Sequence, residues 1–255
     1  MNRLEGKVAV ITGGAGCIGR EAGVLFAAEG ADVLLVDMDA AALEQAVKEI
    51  GSNRVSYCVA DVTSAEDNDA MIATAEERYG GVDVLLANAG IEGDVTPLEE
   101  YSEDMFDKVL SVNVKGVFLG LKSAIPAMRK RGGGSIVITS SVAGVRGTPG
   151  ISAYGTSKHA VVGLMRAAAL EYAAENIRVN TVNPSPVETR MMRSIEAGMG
   201  GEQAQTVKQE LEARIPKQRY AEPDDIARIM LFLAGDESDW VTGSVQMADG
   251  GMTVG

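Results

Sequence analysis

Short apolar, β-branched runs alternate with longer helix-period segments along nearly the whole chain, and this alternation constrains the fold more than any other feature. The spacing predicts strands at Val8–Thr12, Asp32–Val36, Arg54–Val59, Val82–Ala87, Ser135–Thr139, Arg178–Asn183 and Ser244–Met247. Helices are expected at Ile18–Glu29, Ala40–Ile50, Ala65–Tyr79, Met105–Arg129, Ala153–Ala174 and Asp224–Ala234. The strands are almost continuously apolar, as in a parallel sheet covered on both faces. Parallel strands joined through helices require right-handed crossovers. The expected fold is therefore α/β, a doubly wound parallel sheet of about seven strands with helices on both faces. No repeat, low-complexity linker or composition shift divides the 255 residues, so a single domain over 1–255 is expected.

The first strand runs straight into Thr12-Gly-Gly-Ala-Gly-Cys-Ile-Gly19 and then a helix. Glycines there let the backbone turn tightly and approach a pyrophosphate, while the helix N-terminus supplies free N–H groups and positive dipole. Asp37 ends the second strand, 18 residues after Gly19. A carboxylate at that point can accept from both adenosine ribose hydroxyls and repels a 2′-phosphate. Asp39 is also acidic, and no Arg or Lys occupies Gly13–Ile18 or Met38–Asp39, which favours NAD over NADP. The competing reading of Asp37 is a turn or cap ahead of the Ala40 helix. Asp61-Val62 follows the third strand, where it can meet the adenine edge or simply cap Thr63-Ser64. Asn88-Ala89-Gly90 follows the fourth strand, and its small residues leave room for a ribose. The residues set against NAD are thus Gly13, Gly16, Cys17, Ile18, Gly19, Asp37, Met38, Asp61, Val62, Asn88, Ala89 and Gly90.

Tyr154 is the one tyrosine of six with a basic residue four positions on, Lys158. Residues at that spacing share a helix face. An adjacent ammonium favours the phenolate and lowers a pKa that is otherwise near ~10. Such a pair can take a proton from an alcohol or return one to a carbonyl oxygen.

Formal charge −13 and pI near 4.6 exclude nucleic acid and anionic membrane as expected partners. Arg129-Lys130-Arg131 reads as a solvated helix end. Cys17 and Cys58 are too few for a disulfide framework, and no metal-ligand spacing occurs, so no metal is expected. No charged-then-apolar leader opens the chain and no apolar run nears ~20 residues, which points to a soluble cytoplasmic protein. One stretch, about 187–215, departs from the alternation. It carries Met191, Met192, Ile195 and Met199 beside Gly198, Gly200 and Gly201, and is expected to form a lid over a substrate.

Taken together, the motifs resemble those of the short-chain dehydrogenases/reductases, in the single-domain branch of about 250 residues. The likeness covers Thr12-Gly13…Gly19, Asp61-Val62, Asn88-Ala-Gly90, Asn113 in Ser-Val-Asn-Val, Ser140-Ser141, Tyr154…Lys158, Asn183-Pro184…Thr189 and Val241-Thr-Gly…Ala-Asp-Gly-Gly251. Two departures stand out. Cys17 holds the place of the family's middle glycine, with Gly16 one position earlier, and Pro184-Ser185 replaces a Pro-Gly turn. A cysteine there suggests thiol sensitivity, and serine lacks glycine's freedom at positive φ.

The resemblance implies a Rossmann-like fold and a four-residue site. Tyr154 would be the acid/base, Lys158 would lower its pKa and hold the nicotinamide ribose, and Ser141 would orient the substrate oxygen. Asn113 would interrupt its helix and hold a water leading from Lys158 to solvent. Pro184, Val187 and Thr189 would lie at the nicotinamide end, Val187 binding the carboxamide through its backbone. Ser140 should point to the opposite face of its strand, and His159 should face away from the site. The resemblance further implies a homo-oligomer, a tetramer by preference, paired through the 153–174 and 105–129 helices. The expected reaction joins a secondary alcohol and a ketone. A pocket of Ile91, Val95, Val142, Ala143, Val145, Met191, Met192 and Ile195 suits an uncharged alicyclic, terpenoid or steroid-like substrate. The alternatives are a 3-oxoacyl thioester reductase of fatty-acid synthesis and, remotely, a non-catalytic NAD-binding sensor.

Overall fold

The computed structural model describes residues 2–254. It places seven parallel strands in one sheet, in the order β3-β2-β1-β4-β5-β6-β7. They are β1 (Val8–Thr12), β2 (Asp32–Asp37), β3 (Val55–Val59), β4 (Val84–Ala87), β5 (Gly134–Thr139), β6 (Ile177–Pro184) and β7 (Val245–Ala248). The helices are α1 (Cys17–Ala28), α2 (Ala40–Ile50), α3 (Ala65–Tyr79), α4 (Glu103–Leu110), α5 (Gly116–Arg131), α6 (Ser152–Tyr172), α7 (Arg190–Gly200), α8 (Ala204–Ala213) and α9 (Pro223–Ala234).

The continuous apolar runs are explained by burial on both sides of the sheet. Val10, Leu34, Leu85 and Ile136 face α3, α5 and α6 in one core, with Met71, Leu121 and Met165. Ile11, Leu35, Leu86 and Val137 face α1, α2 and α9 in the other, with Phe26, Leu43 and Met230. Local chemistry sets the helix ends. Asp39 accepts from Ala42 N (3.0 Å) to cap α2, Ser64 caps α3, and Gly51 and Gly80 close those helices in the left-handed conformation.

Strand order reverses between β1 and β4, opening a crevice beyond their carboxyl ends. The Thr12 hydroxyl spans it, donating to Leu86 O (3.3 Å) and accepting from Asn88 N (3.0 Å) and Ala89 N (3.2 Å).

The helix expected at Met105–Arg129 differs in detail. It begins at Glu103, and a π turn at Ser111–Lys115 separates α4 from α5. The run Glu103–Arg131 is long and apolar enough to cross a membrane by composition, yet half of its apolar window is buried within the protein. Val117, Leu121, Ala124 and Ile125 of that run belong to the core. The 187–215 stretch folds into α7 and α8, joined by a 3-10 turn.

Candidate active site

At the end of β1, Gly13 has φ +65°, and a β-carbon there would lie 2.9 Å from the Ala89 Cα. At Gly19 a β-carbon would fall 2.2 Å from the Gly13 carbonyl oxygen, so no side chain fits. Gly16 is the N-cap of α1, with no side-chain cap and no acidic residue in the first turn. Cys17 and Ile18 begin that turn, and Cys17 is a partly exposed free thiol. The result is an uncapped, positively polarised helix end facing the crevice, into which a pyrophosphate fits.

Asp37 stands at the tip of β2, its Oδ2 accepting from Ala15 N (3.3 Å) and its Oδ1 from Met38 N (2.8 Å). The carboxylate therefore borders the glycine loop, and the Met38 side chain beside it is 73% exposed. Asp61 takes the turn role: its Oδ1 accepts from Thr63 N (2.8 Å) and Thr63 Oγ1 (2.8 Å). A β-carbon at Gly116 would meet the Val62 side chain at 2.9 Å, which places Val62 against the start of α5. Asn88 is a tie between strands, donating to Thr12 O (3.2 Å) and accepting from Thr139 Oγ1 (3.0 Å).

Ser141, Tyr154 and Lys158 meet at the carboxyl edge of β5. Ser141 Oγ accepts from Ala143 N (3.1 Å), and the Ser141 hydroxyl is hydrogen-bonded to the Tyr154 phenol. Ser140 turns the other way, into a buried bond to Lys158 O (3.0 Å). Lys158 is 4% exposed; its Nζ donates to Thr139 O (2.8 Å) and lies 5.4 Å from the centre of the Tyr154 ring.

The direction of the Tyr154 pKa corrects the expectation from spacing. Burial pushes the phenol up to about 12, against the hydrogen-bonding pull of the Ser141 hydroxyl, and the Glu92 charge adds to the rise. The residue as a whole is only partly buried, so the desolvation falls on its hydroxyl end. The same desolvation takes Lys158 down to about 8. Both groups thus lean toward their neutral forms.

Asn113 sits in the π turn, 1% exposed. Its Oδ1 accepts from Ile91 N (2.8 Å), and its Nδ2 donates to Ile91 O (2.9 Å) and Ser157 Oγ (3.0 Å). Ser157 in turn donates to Tyr154 O (2.7 Å). The Asn113 side chain therefore fastens the Ile91 segment to α6. Gly90 lies against this group: a β-carbon there would come within 3.2 Å of Asn113 Oδ1 and 3.5 Å of Lys158 Nζ. His159 is exposed and bonds Gly155 O (2.9 Å) of its own helix, outside the site.

Pro184 ends β6, and Ser185 N donates to Ala248 O (3.2 Å). Ser185 is absent from the positive-φ residues, so glycine's freedom is not needed at the replaced turn. Val187 bridges Ala221, and that bridge uses Pro186 O (3.0 Å) and Glu188 N (2.9 Å). Val187's own N–H is thereby directed to the opposite side. Thr189 caps α7, accepting from Met192 N (3.3 Å) and donating to Val187 O (3.2 Å). Residues the sequence did not single out complete the site: Thr139 through its carbonyl, Ser157, and Glu92, whose charge reaches Tyr154. Among the described residues no group of three His, Cys, Asp or Glu could hold a metal ion.

Residues 13–253 match the family model described as enoyl-(acyl carrier protein) reductase. Levodione reductase of Leifsonia aquatica is 38% identical over 98% of this chain and 96% of its own. The crystal structure of levodione reductase superposes with a TM-score of 0.95, covering 98% of this chain and 99% of that one at 36% identity. The chain belongs to the short-chain dehydrogenases/reductases. A 3-oxoacyl-[acyl-carrier-protein] reductase of Thermotoga maritima is 39% identical, over 99% of this chain and all of its own. Cyclohexanol dehydrogenase of an Acinetobacter species is 35% identical over 99% and 97%. As a member of this family the protein binds a nicotinamide dinucleotide, and the uncapped loop Gly13–Gly19 fits the group's pyrophosphate.

Proposed function

We propose that the protein is an NAD-dependent alcohol dehydrogenase/ketone reductase that interconverts an uncharged alicyclic, terpenoid or steroid-like secondary alcohol and its ketone. The observation that carries this reading is the convergence of the Ser141 hydroxyl, the Tyr154 phenol and the Lys158 ammonium beside Gly90. Ser141, hydrogen-bonded to the Tyr154 phenol in the free protein, turns its hydrogen to the substrate oxygen, orienting it. Tyr154, protonated at neutral pH, gives its proton to a carbonyl oxygen, or as phenolate takes one from an alcohol. Lys158 keeps one N–H on Thr139 O and turns the others toward the ribose and the phenol. When bound, the nicotinamide exchanges a hydride with the carbinol carbon. Asn113 holds the Ile91 and Tyr154 backbones in register through Ser157.

NAD is favoured over NADP because the Asp37 carboxylate borders the glycine loop, where it would repel a 2′-phosphate, and no cation stands in Gly13–Ile18 or Met38–Asp39. Val187, through its outward N–H, is assigned to the carboxamide, and Asp61 and Val62 to the adenine edge. The α7–α8 segment is the substrate lid. A β-carbon at Gly198 would lie 2.7 Å from Val95, so the helix backbone presses on that wall of the pocket. Apolar Ile91, Val95 and Met191, with the Glu92 charge near Tyr154, suit a neutral substrate and repel an anion.

A homotetramer is the proposed assembly. It is supported by exposed Leu170 (86%) and Trp240 (97%), and by the open flank of Gly163 on α6. Two free cysteines and an acidic surface agree with a cytoplasmic setting.

A 3-oxoacyl thioester reductase is the second reading, favoured by the Thermotoga maritima relative. Absorbance assays with cyclic alcohols and NAD, against an acetoacetyl thioester and NADPH, separate the two. Turnover confined to polyols, hydroxy acids or the thioester sinks the first.

A further inference from the structure

The strap between β6 and α7 carries a carboxylate with partners from both helices that follow it. Glu188 lies between Val187 and Thr189, and its oxygens take Arg193 of α7 and Lys208 of α8, the latter at 2.5 Å. Arg193 also holds Glu196 (2.7 Å), which is 3% exposed. Both cations stand over the ring of Tyr220, Arg193 at 5.6 Å and Lys208 at 5.3 Å. Tyr220 is 1% exposed and precedes Ala221, which bridges back to Val187. The contacts form a closed circuit from strap to α7, to α8, to Tyr220 and back.

Isolated surface ion pairs contribute little. This cluster differs in three respects. Lys208 is 19% exposed, one carboxylate serves two cations, and both cations share one buried aromatic ring. The Tyr220 phenol is driven far above its usual range, by burial first and then by Glu196, so the ring stays neutral under both cations. Removing the Glu188 charge cuts the side-chain tie from the strap to α7 and α8 at once, leaving Arg193 to Glu196 and Lys208 to Glu212.

We infer that Glu188 is a positioning residue that latches α7 and α8 to the Val187–Thr189 strap, so that gripping the nicotinamide end and closing the lid are one event. This rests on the dehydrogenase reading only for what the strap holds. The latch itself is present in the free protein. Through it, dinucleotide on the strap stiffens α7 and α8, and lid opening loosens the strap.

Hydrogen exchange of residues 190–213, with and without NAD, tests the inference on the wild type, Glu188→Gln and Lys208→Met. Without NAD, both variants should exchange at least threefold faster there than the wild type, with the sheet unchanged. NAD should protect 190–213 in the wild type and much less in either variant. The KM for NAD should rise about tenfold while kcat changes less than threefold, and Glu188→Asp should restore most of the affinity. Wild-type exchange of 190–213 in free Glu188→Gln and Lys208→Met overturns the latch. A wild type that binds no NAD, with faster exchange in the free variants, sinks the dehydrogenase reading and leaves the latch standing.

Discussion

The Lys158 ammonium lies 5.4 Å from the centre of the Tyr154 ring while it donates to the Thr139 carbonyl at 2.8 Å. The pair is close enough to act together, yet burial governs both members, and each leans toward its neutral form.

This has a consequence for stability. The unfolded Lys158 titrates near 10.5 and the folded one near 8, so below about pH 8 the fold carries the full cost of a buried charge. Between about 8 and 10 that cost is relieved, and stability rises with pH. Above 10 the trend reverses, because folded Tyr154 resists ionisation up to about 12. Urea unfolding of wild type and Lys158→Met should show the rise from pH 8 to 10 in the wild type alone, at most about 3 kcal/mol. Parallel curves would remove Lys158 as its source.

Gly90 leaves little room for a side chain. A β-carbon would stand 3.2 Å from Asn113 Oδ1 and 3.5 Å from Lys158 Nζ, both of which are tied to other elements. Gly90→Ala should lower kcat about tenfold by displacing the Asn113 amide that holds Ile91 and Ser157, with little change in melting temperature. Full activity would show that the group tolerates displacement.

The thiol of Cys17 opens the first turn of α1, where the pyrophosphate is expected. Alkylation with iodoacetamide should raise the KM for NAD at least tenfold, and NAD should protect against it. Cys17→Ser, which keeps Cys58, should resist the reagent. An alkylated wild type with normal affinity would place the phosphates elsewhere.

The sheet was legible because strands buried on both faces must be continuously apolar, and seven such runs stand in order. The glycine loop and the Tyr154–Lys158 pair were legible through spacing, and Ser141 through the family resemblance. Three features were not. The π turn at Ser111–Lys115 has no residue-type signature; only the family resemblance, through Asn113, implied a break in that helix. The Asn113 amide is defined by Ile91 and Ser157, 22 and 44 residues away, so no local pattern announces its task. Burial, which reverses the expected Tyr154 direction, is a tertiary property that an i, i+4 lysine does not reveal.

The central claim is that the Tyr154 phenol carries the proton of an NAD-linked alcohol/ketone interconversion. The measurement is single-turnover NADH absorbance with a cyclic alcohol, on wild type and Tyr154→Phe, beside NAD binding by fluorescence quenching. The account predicts a fall in rate of about 10²- to 10⁴-fold in Tyr154→Phe, with the NAD dissociation constant within threefold of wild type. Undiminished turnover in Tyr154→Phe, or a wild type that prefers NADP, would contradict it.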